Sequence, residues 1–220
     1  MGRACGLWCF CRAARCGAPI ATTRIPGSFA KASPIPPEQA AQKALRYAPY
    51  WKGGGGVTLS GGEPLMQAGF GAEFFRLLRE QGVHTALDTS CMGALSDARS
   101  VLAQTSLVLA DVKFLSEADY KKHTGGSFAQ VQAFLRLAEE MRVPVWVRHV
   151  VVPGLTDAPE HIRALGEFVR GFKNVQKIEL LPFRKLCLPK YEQMGIPFPL
   201  RDTPEASEQG VARLQRLLEQ

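Results

Sequence analysis

The chain has 220 residues, 46% hydrophobic and 21% charged, with a formal net charge of +7. This is ordinary globular composition, enough for one domain with a sizeable core. The basic residues are scattered, with no block or aromatic-interleaved stripe, which argues against nucleic acid. No apolar run reaches membrane-spanning length, which argues against a membrane protein.

Residues 4–11 are apolar and follow Arg3, but three cysteines and a glycine make a poor signal core, and Arg12 and Arg15 follow at once. Gly6 stands where a myristoylation signal wants Ser or Thr. The reading is a cytoplasmic protein. Four of six cysteines, Cys5, Cys9, Cys11 and Cys16, lie in the first sixteen residues. That clustering favours metal ligation in a reducing compartment over disulfides.

Residues 1–34 read as an irregular cysteine-containing segment, and 35–220 as the folded domain. Residues 17–37 are rich in Pro, Ala, Ser and Thr and read as loop. Pro36-Pro37-Glu38 opens a helix to about Tyr47. Val57 to Ser60 is a strand that runs into Gly61-Gly62-Glu63. Phe74, Phe75, Leu77 and Leu78 mark a helix ended by Gly82. Strand 84–88, helix 96–102, strand 107–112 and helix 117–123 follow, the third strand apolar and expected to be buried on both faces. Ser127 caps a helix carrying Val131, Phe134 and Leu135. Strand 145–152 precedes a capping-box pattern, Asp157 to Glu160, and a helix with Ile162, Leu165 and Phe168. Strand 177–181 and helix 205–219 close the chain. The βα alternation predicts an α/β fold with a parallel sheet, either an incomplete barrel or a doubly wound sheet.

Unusual polar residues fall at the strand ends: Ser60 to Glu63, Asp88-Thr89-Ser90, Asp111-Val112-Lys113 and Arg148. In a parallel sheet they converge at one mouth. They suit a polar zwitterionic ligand, or a cation between Asp88 and Asp111. A structural Asp111–Lys113 or Asp88–Arg148 ion pair explains them equally well. The four histidines show no metal spacing. His149 is expected on the face opposite Arg148, Cys91 and Cys187 as small hydrophobes, and Trp146 in the core.

Five segments in register carry a resemblance: GGGVTLSGGEPL at 54–65, TALDTS at 85–90, LADVK at 109–113, VWVRHVVVPG at 145–154 and KIELLPF at 177–183. Together they resemble the radical S-adenosylmethionine (SAM) activases of glycyl radical enzymes, of the pyruvate formate-lyase activating kind. The resemblance implies an incomplete (βα)6 barrel, a [4Fe–4S] cluster and SAM. It implies an oxidoreductase acting on a glycyl radical enzyme, pyruvate formate-lyase by default, with an electron donor such as a flavodoxin. In such enzymes three cysteines of a C-x3-C-x2-C loop hold three irons, and SAM's amino and carboxylate groups chelate the fourth. Reductive cleavage gives a 5′-deoxyadenosyl radical, which takes a hydrogen from a glycine Cα.

Carried over by residue, Gly61, Gly62 and Glu63 would hold the methionine amino end. Asp111, Val112 and Lys113 would line the cofactor site, with Arg148 on the barrel wall. Asp88, Thr89 and Asp111 would match a monovalent-cation site. No catalytic residue is assigned. Arg184 stands where the family commonly has a His that reaches the cofactor. The N-terminus departs further, so the first strand and cluster loop are expected to be missing or altered. The candidate ligands Cys5, Cys9 and Cys11 have C-x3-C-x-C spacing, and the single residue Phe10 is expected to turn Cys9 and Cys11 apart. Cys5, Cys9 and Cys16 are the other set. Two further readings are a degenerate relative that binds SAM or a partner without radical chemistry, and a zinc protein using the four N-terminal cysteines.

Overall fold

The computed structural model describes residues 7–10, 35–51, 55–193 and 195–219. The segment read as loop therefore lies almost wholly outside the described residues. Six parallel strands form one sheet in chain order: β1 (Leu7–Phe10), β2 (Gly56–Ser60), β3 (His84–Thr89), β4 (Leu107–Asp111), β5 (Val145–Val151) and β6 (Val175–Pro182). The helices between them are α1 (Pro37–Leu45), α2 (Ala68–Glu80), α3 (Leu95–Leu102), α4 (Glu117–Thr124), α5 (Phe128–Glu140) and α6 (Pro159–Arg170). After β6 come α7 (Leu188–Gln193) and α8 (Glu208–Gln215).

The sequence read five strands, and the sheet has a sixth. β1 falls within the segment read as irregular and pairs with β2 from Leu7↔Val57 to Phe10↔Ser60. The first strand is thus present in altered form, built from the residues around Cys9. Its brevity hides it: four residues, two of them tryptophan and cysteine, give no alternating pattern to read.

Strand parity divides the sheet into two faces. Val57, Leu59, Leu87, Val108, Ala110, Val145, Val147 and Val151 are buried in one core with Phe74, Phe75, Leu78, Val101, Phe134, Leu135, Ile162 and Leu165 of the helices. The alternate positions Thr58, Asp88, Leu109, Asp111, Trp146 and Arg148 are only part-buried and face the other way. This corrects two expectations. β4 is covered on one face only, because the sheet curves into an open barrel whose inner face carries the polar residues. Trp146 lies on that inner face, with Lys177 Nζ 4.9 Å from its ring centroid.

The outer edge of β6 is covered by a side chain. Gln215 of α8 donates to the Ile178 carbonyl and accepts from the Leu180 N–H, each at 3.0 Å. Its amide fills the ladder position that another strand would take. The capping box read at Asp157 and Glu160 is not formed. Ala158 is the N-cap of α6, and Asp157 instead accepts from the Gly154 N–H at 2.8 Å.

Two helices end in the same motif with different residues. After α2, Gly82 has φ +71°, and its N–H and that of Val83 return to the Arg79 and Leu78 carbonyls. After α5, Arg142 has φ +56°, and the Arg142 and Val143 N–H groups return to Glu139 and Ala138. This is the Schellman pattern, whose left-handed position favours glycine. Arg142 is exposed, so relieving it loses no buried contact. Arg142→Gly is expected to stabilise the fold by about 1 kcal/mol, and Gly82→Arg to destabilise it similarly. Urea denaturation of both variants checks the pair, and a destabilised Arg142→Gly would contradict the strain.

Candidate functional site

The inner-face residues at the strand ends form one charge network. Asp111 and Arg148 are register partners on β4 and β5, and Asp88 ends the same face of β3. Arg148 Nε donates to Asp111 Oδ1 at 3.0 Å, and its Nη2 lies 2.8 Å from the same oxygen. The same Nη2 reaches across to Asp88 Oδ1. Ser60 Oγ of β2 donates to Asp88 Oδ2 at 2.7 Å, and Lys113 Nζ donates to Asp111 Oδ2 at 3.2 Å. Both ion pairs offered by the sequence are therefore made, in one network that also draws in β2.

The network is largely screened from water: the Arg148 and Asp88 side chains are each 13% exposed, and Lys113 is 11%. Burial pushes Asp111 up, but Lys113 and Arg148 outweigh it and hold its carboxyl below the ordinary value. Burial and the nearby Asp111 charge raise Asp88, against the pull of Arg148. Two acids and two bases sum to zero charge, and such a row complements a zwitterion. The cation between Asp88 and Asp111 is the Arg148 guanidinium. Each of the four carboxylate oxygens has a partner within the network.

Beside this row the backbone turns sharply. Gly61 and Gly62 have φ +85° and +57°, so the turn after β2 needs residues without a Cβ. Glu63 follows, but its carboxylate faces away from the charge row. Its Oε1 accepts from Thr89 Oγ1 at 2.6 Å and from the Leu65 N–H at 3.1 Å. Its Oε2 accepts from the Ser90 N–H at 2.8 Å and from Ser90 Oγ at 2.6 Å. Burial pushes this carboxyl above its ordinary value, and those donors pull it back only in part.

Several expected site residues are placed elsewhere. Val112 is fully buried, its N–H donating to the Arg148 carbonyl and its own carbonyl accepting from His149. It fixes the spacing of its neighbours and presents no polar group to the mouth. The Thr89 hydroxyl is on the helix-covered side with Glu63, not beside Asp88 and Asp111, because adjacent strand residues face opposite ways. Arg184 is held at the start of α8, donating to the Ala206 carbonyl at 2.5 Å, with Glu208 at 3.4 Å. Cys91 and Cys187 are buried, as expected of small hydrophobes, and burial pushes the Cys91 thiol well up.

Sequence reasoning did not single out Glu179 for the site. Glu179 is the register partner of Arg148 on β6 and takes Lys177 Nζ at 2.7 Å. Strand parity was the available signal, since it sits on an inner-face position.

Cys5 and Cys11 lie outside the described residues, and Cys9 stands in β1 opposite Leu59. Residues two apart on an extended strand share a face, so one spacer residue does not by itself turn Cys9 from Cys11. Leu7 and Trp8, two of the three residues between Cys5 and Cys9, are paired to Val57 and Thr58. Among the described residues no group of three or more His, Cys, Asp or Glu is placed to hold a metal ion.

Residues 7–166 match the Radical SAM superfamily. The chain belongs to that superfamily.

It is similar to a pyruvate formate-lyase-activating enzyme of Clostridium pasteurianum, 40% identical over 184 residues, 83% of this chain and 77% of that one. Another, from Streptococcus mutans, is 37% identical over 183 residues, 80% and 70% of the two chains. Among solved structures, a domain of pyruvate-formate lyase-activating enzyme from Bacteroides vulgatus superposes with TM-score 0.62 at 22% identity, covering 76% of this chain and 94% of that one. A radical SAM methyltransferase from Sphaerobacter thermophilus gives 0.68 at 14%, covering 97% and 62%. The fold is thus the family's partial (βα) barrel. The chain is a radical SAM oxidoreductase, and a [4Fe–4S] cluster and SAM are the cofactors of its family.

Behind the charge row, on the core side of β5, His149 donates from Nδ1 to the Val112 carbonyl at 2.7 Å. It is 1% exposed, and burial lowers its pKa to about 4. The folded protein therefore holds His149 neutral. Its contribution is intact above about pH 6.5, the ordinary histidine value, and is lost as pH falls from there toward 4. The loss is on the order of 3 kcal/mol. His149→Gln keeps a donor for Val112 but cannot titrate. Its unfolding free energy is expected to fall less between pH 6.5 and 4 than that of the unsubstituted chain, by urea denaturation across that range. Equal slopes would contradict the assignment.

Proposed function

We propose that the chain is an activase that generates a glycyl radical on a partner enzyme such as pyruvate formate-lyase, in the cytoplasm and with an electron donor such as a flavodoxin. The observation that carries this is the strand-end row of Asp88, Asp111, Lys113 and Arg148 beside a positive-φ glycine pair. The reading is also supported by the similarity of the chain, at 37–40% identity over 70–77% of their length, to relatives named pyruvate formate-lyase-activating enzyme.

In the reading, this row binds the amino-acid end of SAM. Arg148 and Lys113 take the carboxylate. Asp88, Asp111 and the open backbone of Gly61 and Gly62 take the ammonium. A zwitterion can exchange into the row without altering its charge balance, so no buried group is left uncompensated. Val112 and His149 act from behind, fixing the distance between Asp111 and Lys113. A reduced cluster and SAM bound there would supply the radical chemistry for removing a glycine Cα hydrogen.

The C-x3-C-x-C spacing of Cys5, Cys9 and Cys11 departs from the C-x3-C-x2-C loop that the resemblance implies. Expressed anaerobically with iron and sulfide, the chain as written is expected to give little or no cluster signal by electron paramagnetic resonance. A version with the second spacer lengthened to make a C-x3-C-x2-C loop is expected to show the signal, cleave SAM and produce a glycyl radical on pyruvate formate-lyase. A restored version that binds a cluster and SAM but makes no glycyl radical would overturn the activase reading.

A further inference from the structure

The buried carboxylate of Glu63 is the most fully partnered acid beside the mouth. A carboxylate accepts about four hydrogen bonds. Here all four are taken, by Leu65, Thr89 and twice by Ser90. With the residue 5% exposed, a ligand ammonium could reach these oxygens only by displacing one of those donors. The geometry also shows what the carboxylate holds. Thr89 Oγ1 donates to Glu63 and accepts from the Cys91 N–H at 2.8 Å. Cys91 has φ +65°, a left-handed conformation that a non-glycine residue adopts only when its surroundings enforce it. Glu63 thus fastens the strained turn after β3 to the Gly61–Gly62 turn after β2, on the core side. Ser60 and Asp88 fasten the same two strand ends on the inner side.

We propose that Glu63 is a positioning residue: its carboxylate clamps the ends of β2 and β3 through Thr89 and Ser90, and the ligand's ammonium is met by the glycine backbone and the inner-face acids. The proposal rests on the reading that these strand ends bind SAM. It changes the role assigned to the acid of the glycine–acid motif in this chain, from ligand contact to scaffold. It also makes Thr89 and Ser90, neither of which faces the inner side with Asp88, determinants of affinity.

The test uses the full chain, with S-adenosylhomocysteine and its desamino analogue as probes, and the variants Glu63→Gln, Thr89→Val and Ser90→Ala. Titration calorimetry gives the affinities, and hydrogen exchange follows the Ser90 and Cys91 amides without ligand. Thr89→Val and Ser90→Ala are each expected to weaken S-adenosylhomocysteine binding by about 10-fold, the scale on which outer partners of a site act. Combined with Glu63→Gln they are expected to add little, because all act through one carboxylate. The preference for the amino-bearing probe over its desamino analogue is expected to survive in Glu63→Gln. Exchange at Ser90 and Cys91 is expected to speed up in all three variants.

A preference that vanishes in Glu63→Gln, with Thr89→Val binding normally, would overturn the proposal and restore direct contact. Unchanged exchange in Glu63→Gln would overturn the clamp by itself, whatever the ligand. If the unsubstituted chain and all variants bind neither probe while exchange responds as expected, the clamp stands as a scaffold and the SAM reading, with the affinity role, is refuted.

Discussion

One guanidinium holds three strand ends together. Arg148 on β5 lies between Asp111 on β4 and Asp88 on β3, and Ser60 on β2 completes the chain through Asp88. Parallel strands bring these side chains to one level only because each sits at the same parity of its strand. Burying such a network costs desolvation, and removing one member of a buried set typically costs about 3–5 kcal/mol. In the proposed reading, the same cost makes the site specific. A ligand that enters must replace each charge it displaces, and a zwitterion with both signs close together does so.

The other side of the sheet supports this row. Val112 is sealed in the core between Asp111 and Lys113, with its carbonyl fixed by His149. Glu63 fixes the turns after β2 and β3 from below. Each mouth residue is therefore backed by a neighbour one position away in sequence and on the opposite face. Adjacent residues at the strand ends thus lie on opposite sides of the sheet.

Much of this was legible in the sequence. The helical spacing of Phe74, Phe75 and Leu78, and of Val131, Phe134 and Leu135, gave the two longest helices, and the βα alternation gave the parallel sheet. The strand-end positions of Asp88, Asp111, Lys113 and Arg148 gave the row. Other features depend on three-dimensional facts that spacing does not carry. The Glu63 carboxylate turns away from the mouth because Thr89 and Ser90, 26 and 27 residues on, offer three donors. β1 was hidden because it is four residues long and lies around Cys9 in a segment with no periodicity. The N-cap of α6 is Ala158 rather than Asp157 because the Asp157 carboxylate is used by Gly154. Trp146 looked like core because hydrophobicity alone does not say which face of a curved sheet is covered.

The central claim is that the Arg148 fork recognises the amino-acid end of the cofactor. Arg148→Lys keeps the charge, and so the balance with Asp88 and Asp111, but loses the planar fork. The decisive measurement compares the affinity of this variant and the unsubstituted chain for S-adenosylhomocysteine and for 5′-methylthioadenosine, which lacks the amino-acid end. The account predicts a loss of about 10-fold or more for S-adenosylhomocysteine, the scale of one charged hydrogen bond, and no change for 5′-methylthioadenosine. Equal losses for the two, or no loss for either, would contradict it.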